Sequence, residues 1–209
     1  MKRAVPLLLL LLATGCASTL KNSRVRPDYE SVDRTRLKRL VVVTAPAPAE
    51  PEQLGELWSR IARRYVNQKR NFIVKAHTSL PGRVDKAELE RLCAEAAEGL
   101  EGVLLLEPTE LRRVGSGKDA GVEEAVHAQL LRCSDGQEVW SANAAGSFES
   151  EDAQLKESAT LWTNGLSASV EPYAAPAFRL LRPTLDSLPE PTPPATDEET
   201  MEKGDAELF

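Results

Sequence analysis

Leu37-Lys38-Arg39-Leu40-Val41-Val42-Val43-Thr44 is an apolar run rich in β-branched residues, set between charged sequence and a proline-rich break. Its core, Leu40 to Val43, is continuously apolar and does not alternate, the pattern of a strand buried on both faces. Such a strand needs neighbours on either side and helices above or below it, so this stretch predicts an α/β domain. Ala45 to Pro51 (APAPAEP) ends it, because proline cannot donate to a sheet ladder.

Downstream the pattern changes period. From about Glu52 to Lys69, the residues Leu54, Leu57, Trp58, Ile61 and Tyr65 recur at helical spacing, with Arg60, Arg63 and Arg64 facing out. Pro51 suits a helix start, Glu52 the positive end of the dipole, and Lys69 and Arg70 the negative end. A second strand, Asn71 to Thr78, leads through Leu80-Pro81-Gly82 to a second helix, about Asp85 to Leu100. That helix carries Leu89, Leu92, Cys93, Ala96 and Leu100 on one face, and Gly99 or Gly102 can end it. Val103 to Glu107 reads as a third buried strand that Pro108 closes. After a loop at Arg112 to Ala120 come two long strands, about Val122 to Cys133 and Glu138 to Phe148. Asp135-Gly136 between them is a strong hairpin signal. A two-residue loop would set Leu131 opposite Trp140; a longer loop or a bulge shifts that pairing. A third helix starts near Ser150 with Leu155, Ala159, Trp162, Leu166 and Val170 on one stripe; Pro172 stops it, and Pro176 to Leu181 adds a short turn.

The expected fold is therefore a mixed sheet of about five strands in β-α-β-α-β-β-α order, with helices packed on it. The globular part spans 37–183. Upstream, 17–36 mixes Lys21, Arg24, Arg26, Arg34 and Arg36 with Asp28, Glu30 and Asp33, and reads as a solvated tether. Downstream, 184–209 is rich in proline, threonine and acids and reads as a disordered tail.

The first residues say where the chain sits. Lys2 and Arg3 precede an apolar run with six consecutive leucines, Leu7 to Leu12, and then Ala13-Thr14-Gly15-Cys16. A charged start, a short apolar stretch and small residues before a cut make a signal peptide over 1–15. The run is far short of the ~20 residues that cross a bilayer. Leu12-Ala13-Thr14-Gly15-Cys16 resembles the lipobox of bacterial lipoproteins, with Ala13 where leucine is commonest. The resemblance implies cleavage between Gly15 and Cys16 and acylation of Cys16. Each buried methylene contributes ~0.8 kcal/mol, so two or three acyl chains hold a soluble domain on a membrane. Ala17 in place of Asp implies, by the sorting rule of that family, the periplasmic face of the outer membrane. An ordinary secretory signal followed by an unrelated cysteine is the plainer alternative.

The chain has 209 residues, 26 basic against 32 acidic, for a net charge of −6. Loss of the leader removes Lys2 and Arg3 and leaves −8, the sign opposite to the basic face that nucleic acid requires. With Cys16 in the anchor, Cys93 and Cys133 remain as a disulfide or as two separate buried thiols. Only two histidines exist, His77 and His127, each in an expected strand and without ligands at metal spacing, so neither a metal nor a cofactor is expected. No nucleophile elbow, phosphate loop or dinucleotide fingerprint is found. Gly115-Ser116-Gly117 beside Arg112, Arg113 and Lys118 could cradle an anion, but a Gly-Ser turn flanked by charges is far more often a mobile solvated loop. Glu95, Glu98 and Glu101 read as the polar side of a helix. Trp58 and Trp162 read as core, and Trp140 on the hairpin is the candidate anchor in a partner interface.

The hairpin Leu130-Leu131-Arg132-Cys133-Ser134-Asp135-Gly136-Gln137-Glu138-Val139-Trp140-Ser141 is similar to one that recurs in a group of periplasmic domains. These include the curli-secretion-channel lipoprotein, the N-terminal domain of the Tol–Pal β-propeller protein and the penicillin-binding-protein activator lipoproteins. The resemblance implies an anticodon-binding-like arrangement over about Leu37 to Val170. Members often place Thr before the Gly, where this chain has Asp135. The stretch Val32 to Thr44 (VDRTRLKRLVVVT), taken with the lipobox, also resembles an uncharacterised lipoprotein family of myxobacteria and spirochaetes, which implies no activity. The expectation is a lipid-anchored envelope module that binds a protein partner through a sheet edge or hairpin and carries no catalysis of its own. An envelope hydrolase or transferase with a dispersed site is the alternative.

Overall fold

The structure, a computed structural model, describes residues 19–95, 99–117 and 120–208. Six strands form one mixed sheet in the order β1-β6-β5-β4-β2-β3. Its centre is β2 (Arg39–Thr44), which pairs in parallel with both β3 (Ile73–Ser79) and β4 (Gly102–Val114). Leu40, Val41, Val42 and Val43 are all buried, as a strand with parallel neighbours and covered faces demands. The chain steps outward from β2 to β3 through α2 (Leu54–Lys69). It then passes back beyond β2 to β4 through α3 (Lys86–Glu95). Reversing direction while keeping one crossover hand puts the two helices on opposite faces of the sheet.

That placement divides the core. On one face α2 packs with α5 (Ala174–Asp186) over Leu40, Val42, Val74, Leu104, Leu106, Val126 and Leu130. On the other, α3 alone covers Val41, Val43, Val103 and Leu105 with Leu89 and Leu92. The second core is small: its fully buried residues stop at β4, with the partly buried Leu131 and Cys133 packed at its edge.

The expected hairpin forms from β5 (Gly121–Arg132) and β6 (Glu138–Glu149). Gly136 sits at φ +69°, a conformation that favours glycine. The loop holds five residues rather than two, and a register shift places Trp140 opposite Leu130 and Glu138 opposite Leu131. Pro108 does not close β4. Beyond Leu106 that strand has no neighbour on its β2 side, so a residue without an amide is tolerated there, next to a bulge between Pro108 and Glu110.

Three segments differ from the sequence reading. Residues 20–25, expected as tether, are β1 (Leu20–Val25), paired antiparallel with β6. The short helix α1 (Tyr29–Val32) follows and buries Tyr29, while Asp33 is buried against Arg132 at 2.9 Å. The expected single helix from Ser150 is interrupted: α4 (Lys156–Thr163) is followed by a 3-10 turn, Ala168–Tyr173, that contains Pro172. The long α5 then starts beyond it, with Pro176 in its first turn, and buries Leu180, Leu181 and Leu185. The expected disordered tail instead forms α6 (Asp197–Leu208). Among the described residues no helix is long and apolar enough to cross a membrane.

Candidate functional site

Gly15 and Cys16, the cleavage and lipidation residues, lie outside the described residues, as do Glu98 and Lys118. The described chain nevertheless begins close to them. The carbonyl of Thr19 accepts a hydrogen bond from the amide of Ala145 at 3.0 Å, and β1 starts at the next residue. From Cys16 to Thr19 the chain can span at most about 11 Å. β1 is the terminal strand of the sheet and its side chains are exposed from Lys21 to Val25.

Cys93 and Cys133 are joined by a disulfide with Cα atoms 5.7 Å apart, within the distance such a bridge needs. It pins α3 to the end of β5 and so staples the smaller core. Trp140 is not a partner anchor. Its side chain is fully buried in the larger core, because the register shift turns it toward α5 and away from solvent. Trp58 and Trp162 are core as expected, and Trp162 stacks on Phe178 with centroids 4.8 Å apart. His77 bonds Glu56 through Nε2 at 3.0 Å and meets Arg63 at Nδ1, while His127 bonds Asn143 at 2.9 Å. The hydrogen bond with His77 holds the Glu56 carboxyl below its ordinary range. Among the described residues no group of His, Cys, Asp or Glu is arranged to hold a metal. Glu101 accepts hydrogen bonds from the Lys38 and Arg39 amides at 2.6 and 2.8 Å, which gives it a structural duty.

Two features remain as candidate sites. The first is a cleft of about 700 Å³ between the tip of the β4–β5 hairpin, the turn at 150–153 and α4. Arg113, Ser150, Asp152, Lys156 and Glu171 line it, and Arg179 ion-pairs with Asp152. Arg113 and Gly117 bring part of the expected Gly-Ser loop to this cleft; nothing in the sequence marked Lys156 or Glu171. Two ladder pairs inward from Arg113, on the helix-covered face, lies Glu124. Both its carboxylate oxygens are buried without a hydrogen-bond partner, and burial pushes its pKa up to about 8.

The second feature is a cationic groove at the opposite end of the sheet. Lys38 and Arg39 at the start of β2, with Lys75 on β3, meet the carboxylates of α6. Lys38 Nζ lies 2.9 Å from Glu199, Arg39 Nε 2.8 Å from Glu202, and Lys75 Nζ 2.7 Å from Glu202. Lys203 of α6 donates to the carbonyls of Asn67, in the last turn of α2, and Phe72, just before β3, and Asn67 Nδ2 donates to the carbonyl of Ala206. The Lys38 ammonium, with the Ala195 amide, holds the Glu199 carboxyl below the usual carboxylate range. The sequence reading missed this site, although Thr196-Asp197-Glu198-Glu199 carries a capping signature. Thr196 Oγ1 accepts from the Glu199 amide at 3.1 Å.

No protein-family model matches the chain, and no curated protein matches it. Several solved structures have a similar outline. A PelC dodecamer from Paraburkholderia phytofirmans is 19% identical with a TM-score of 0.47, over 74% of this chain and 97% of that one. Lipoprotein GNA1162 from Neisseria meningitidis is 18% identical with a TM-score of 0.40, over 61% and 96%. A minor lipoprotein from Acinetobacter baumannii is 15% identical with a TM-score of 0.28, over 74% and 98%. Two of these three are bacterial lipoproteins, and at this level the likeness assigns this chain neither a family nor a function.

Proposed function

We propose that this chain is an envelope lipoprotein, held through acyl chains on Cys16 at the periplasmic face of the outer membrane. It works there by binding a protein partner rather than by catalysis. The observation that carries the reading is the leader ending in Leu12-Ala13-Thr14-Gly15-Cys16, with a cysteine where acylation requires one. The start of β1 adds to it. A sheet edge that begins within about 11 Å of the anchored residue is presented at the lipid surface, where an extended segment of a partner can pair with it. Trp140, being buried, has no part in that contact.

Metabolic labelling with a radioactive fatty acid tests the anchor. The wild-type chain takes up label and stays with the membrane fraction, while Cys16→Ala takes up none and is recovered in the soluble fraction. A wild-type chain without label, or label that persists in Cys16→Ala, removes the reading.

A further inference from the structure

We propose that the groove lined by Lys38, Arg39 and Lys75 is a docking surface for an acidic helix. The chain's own α6 covers it, and an acidic helical segment of a partner takes it when α6 leaves. The twelve residues of α6 hold six acids, Asp197, Glu198, Glu199, Glu202, Asp205 and Glu207, against one base, Lys203. Its described side chains bring almost no apolar surface to the contact. Ala206 is its one buried apolar residue among those described, it belongs to neither core, and Met201 is 71% exposed. Gly204 weakens the helix interior, and a helix of this length is marginal in water by itself.

α6 is fixed by the buried bonds of Lys203 to the Asn67 and Phe72 carbonyls and of Asn67 to the Ala206 carbonyl, and by charge at i and i+3. Glu199 reaches Lys38, and Glu202 bridges Arg39 and Lys75. The Lys38 and Glu199 side chains are 6% and 15% exposed, so each depends on the other once desolvated. Segments with few buried apolar contacts open at low free energy. An opened α6 takes their carboxylates from Lys38 and Lys75 and leaves Arg39 with Glu101 at 3.4 Å, a vacancy that another helix with acids at that spacing fills in the same geometry. This deepens the binding-module reading but does not depend on the anchor, since neither measurement below involves lipid.

The test uses the full chain in detergent, as wild type and as Glu199→Lys/Glu202→Lys. Hydrogen exchange is read across 197–208, and anisotropy follows a fluorescein-labelled peptide of residues 194–209. In the double variant the amides of 197–208 lose protection while β2, β3 and β4 keep theirs. The peptide then binds that variant saturably, at least tenfold more tightly than it binds wild type. A scrambled peptide of the same composition does not bind. Should the double variant lose protection in the strands, Glu202→Ala is used, with the same pattern expected. Retained protection in 197–208, equal or absent peptide binding in variant and wild type, or equal binding of the scrambled peptide would overturn the proposal.

Discussion

Glu124 sits on β5 between Val122 and Val126 on the helix-covered face, opposite Leu111 and Gly146, where every neighbour favours an apolar side chain. Its carboxyl is kept neutral by burial, with a pKa near 8 against an ordinary 4.5. Between those two values the folded chain holds a proton that the unfolded chain has released, so stability falls as pH rises through that window. The slope is at most about 1.4 kcal/mol per pH unit. Glu124→Gln removes this loss, so urea melts at pH 5 and pH 8 differ less in the variant than in wild type. An unchanged pH dependence would mean that the carboxyl is solvated. Trp140 makes a second prediction at this scale. Truncating a fully buried indole leaves a cavity, and Trp140→Ala lowers stability by about 3–5 kcal/mol in chemical denaturation. A loss under 1 kcal/mol would fit the exposed anchor that the sequence suggested.

Elements buried on both faces were legible because nothing else explains their residues. Leu40 to Val43 and Val103 to Leu106 are continuous apolar runs, and they form the central strands. β1 was not legible, for a physical reason: an edge strand satisfies its ladder with backbone groups, and Lys21, Asn22, Ser23 and Arg24 remain in solvent, as a tether's side chains do. α6 was missed because its docking is ionic. Apolar periodicity is blind to such a helix, whereas the Thr196–Glu199 cap gave a readable start. Of the candidate sites, the loop around Arg113 stood out in sequence, but its partner Lys156 lies on a helix far along the chain, and only folding brings the two to one cleft. The disulfide was one of two open readings, since spacing alone does not set a Cα separation. It closes a 40-residue separation and backs a core of seven buried residues, so Cys93→Ser/Cys133→Ser costs about 2–4 kcal/mol. Wild type in reducing agent should melt like the variant; equal melts for oxidised and reduced wild type would show that α3 needs no staple.

At the scale of the whole molecule, strand directions decide what faces where. β1 runs antiparallel to β6, β6 to β5, β5 to β4, and β4 parallel to β2, so β1 and β2 point in opposite directions. β1 begins opposite Ala144, midway along β6, so the β4–β5 tip reaches past it on one side and the start of β2 lies on the other. A lipid on Cys16 would hold this mid-sheet point of the edge strand, and not an end of the sheet, near the bilayer. That placement hangs on the chemistry of one sulfur. Mass spectrometry of the N-terminal peptide from membrane-bound protein tests it most directly. The expected result is a chain that begins at Cys16 and carries a diacylglyceryl group on its sulfur. A mature chain that begins elsewhere, or an unmodified Cys16 on protein recovered from the soluble fraction, would contradict it.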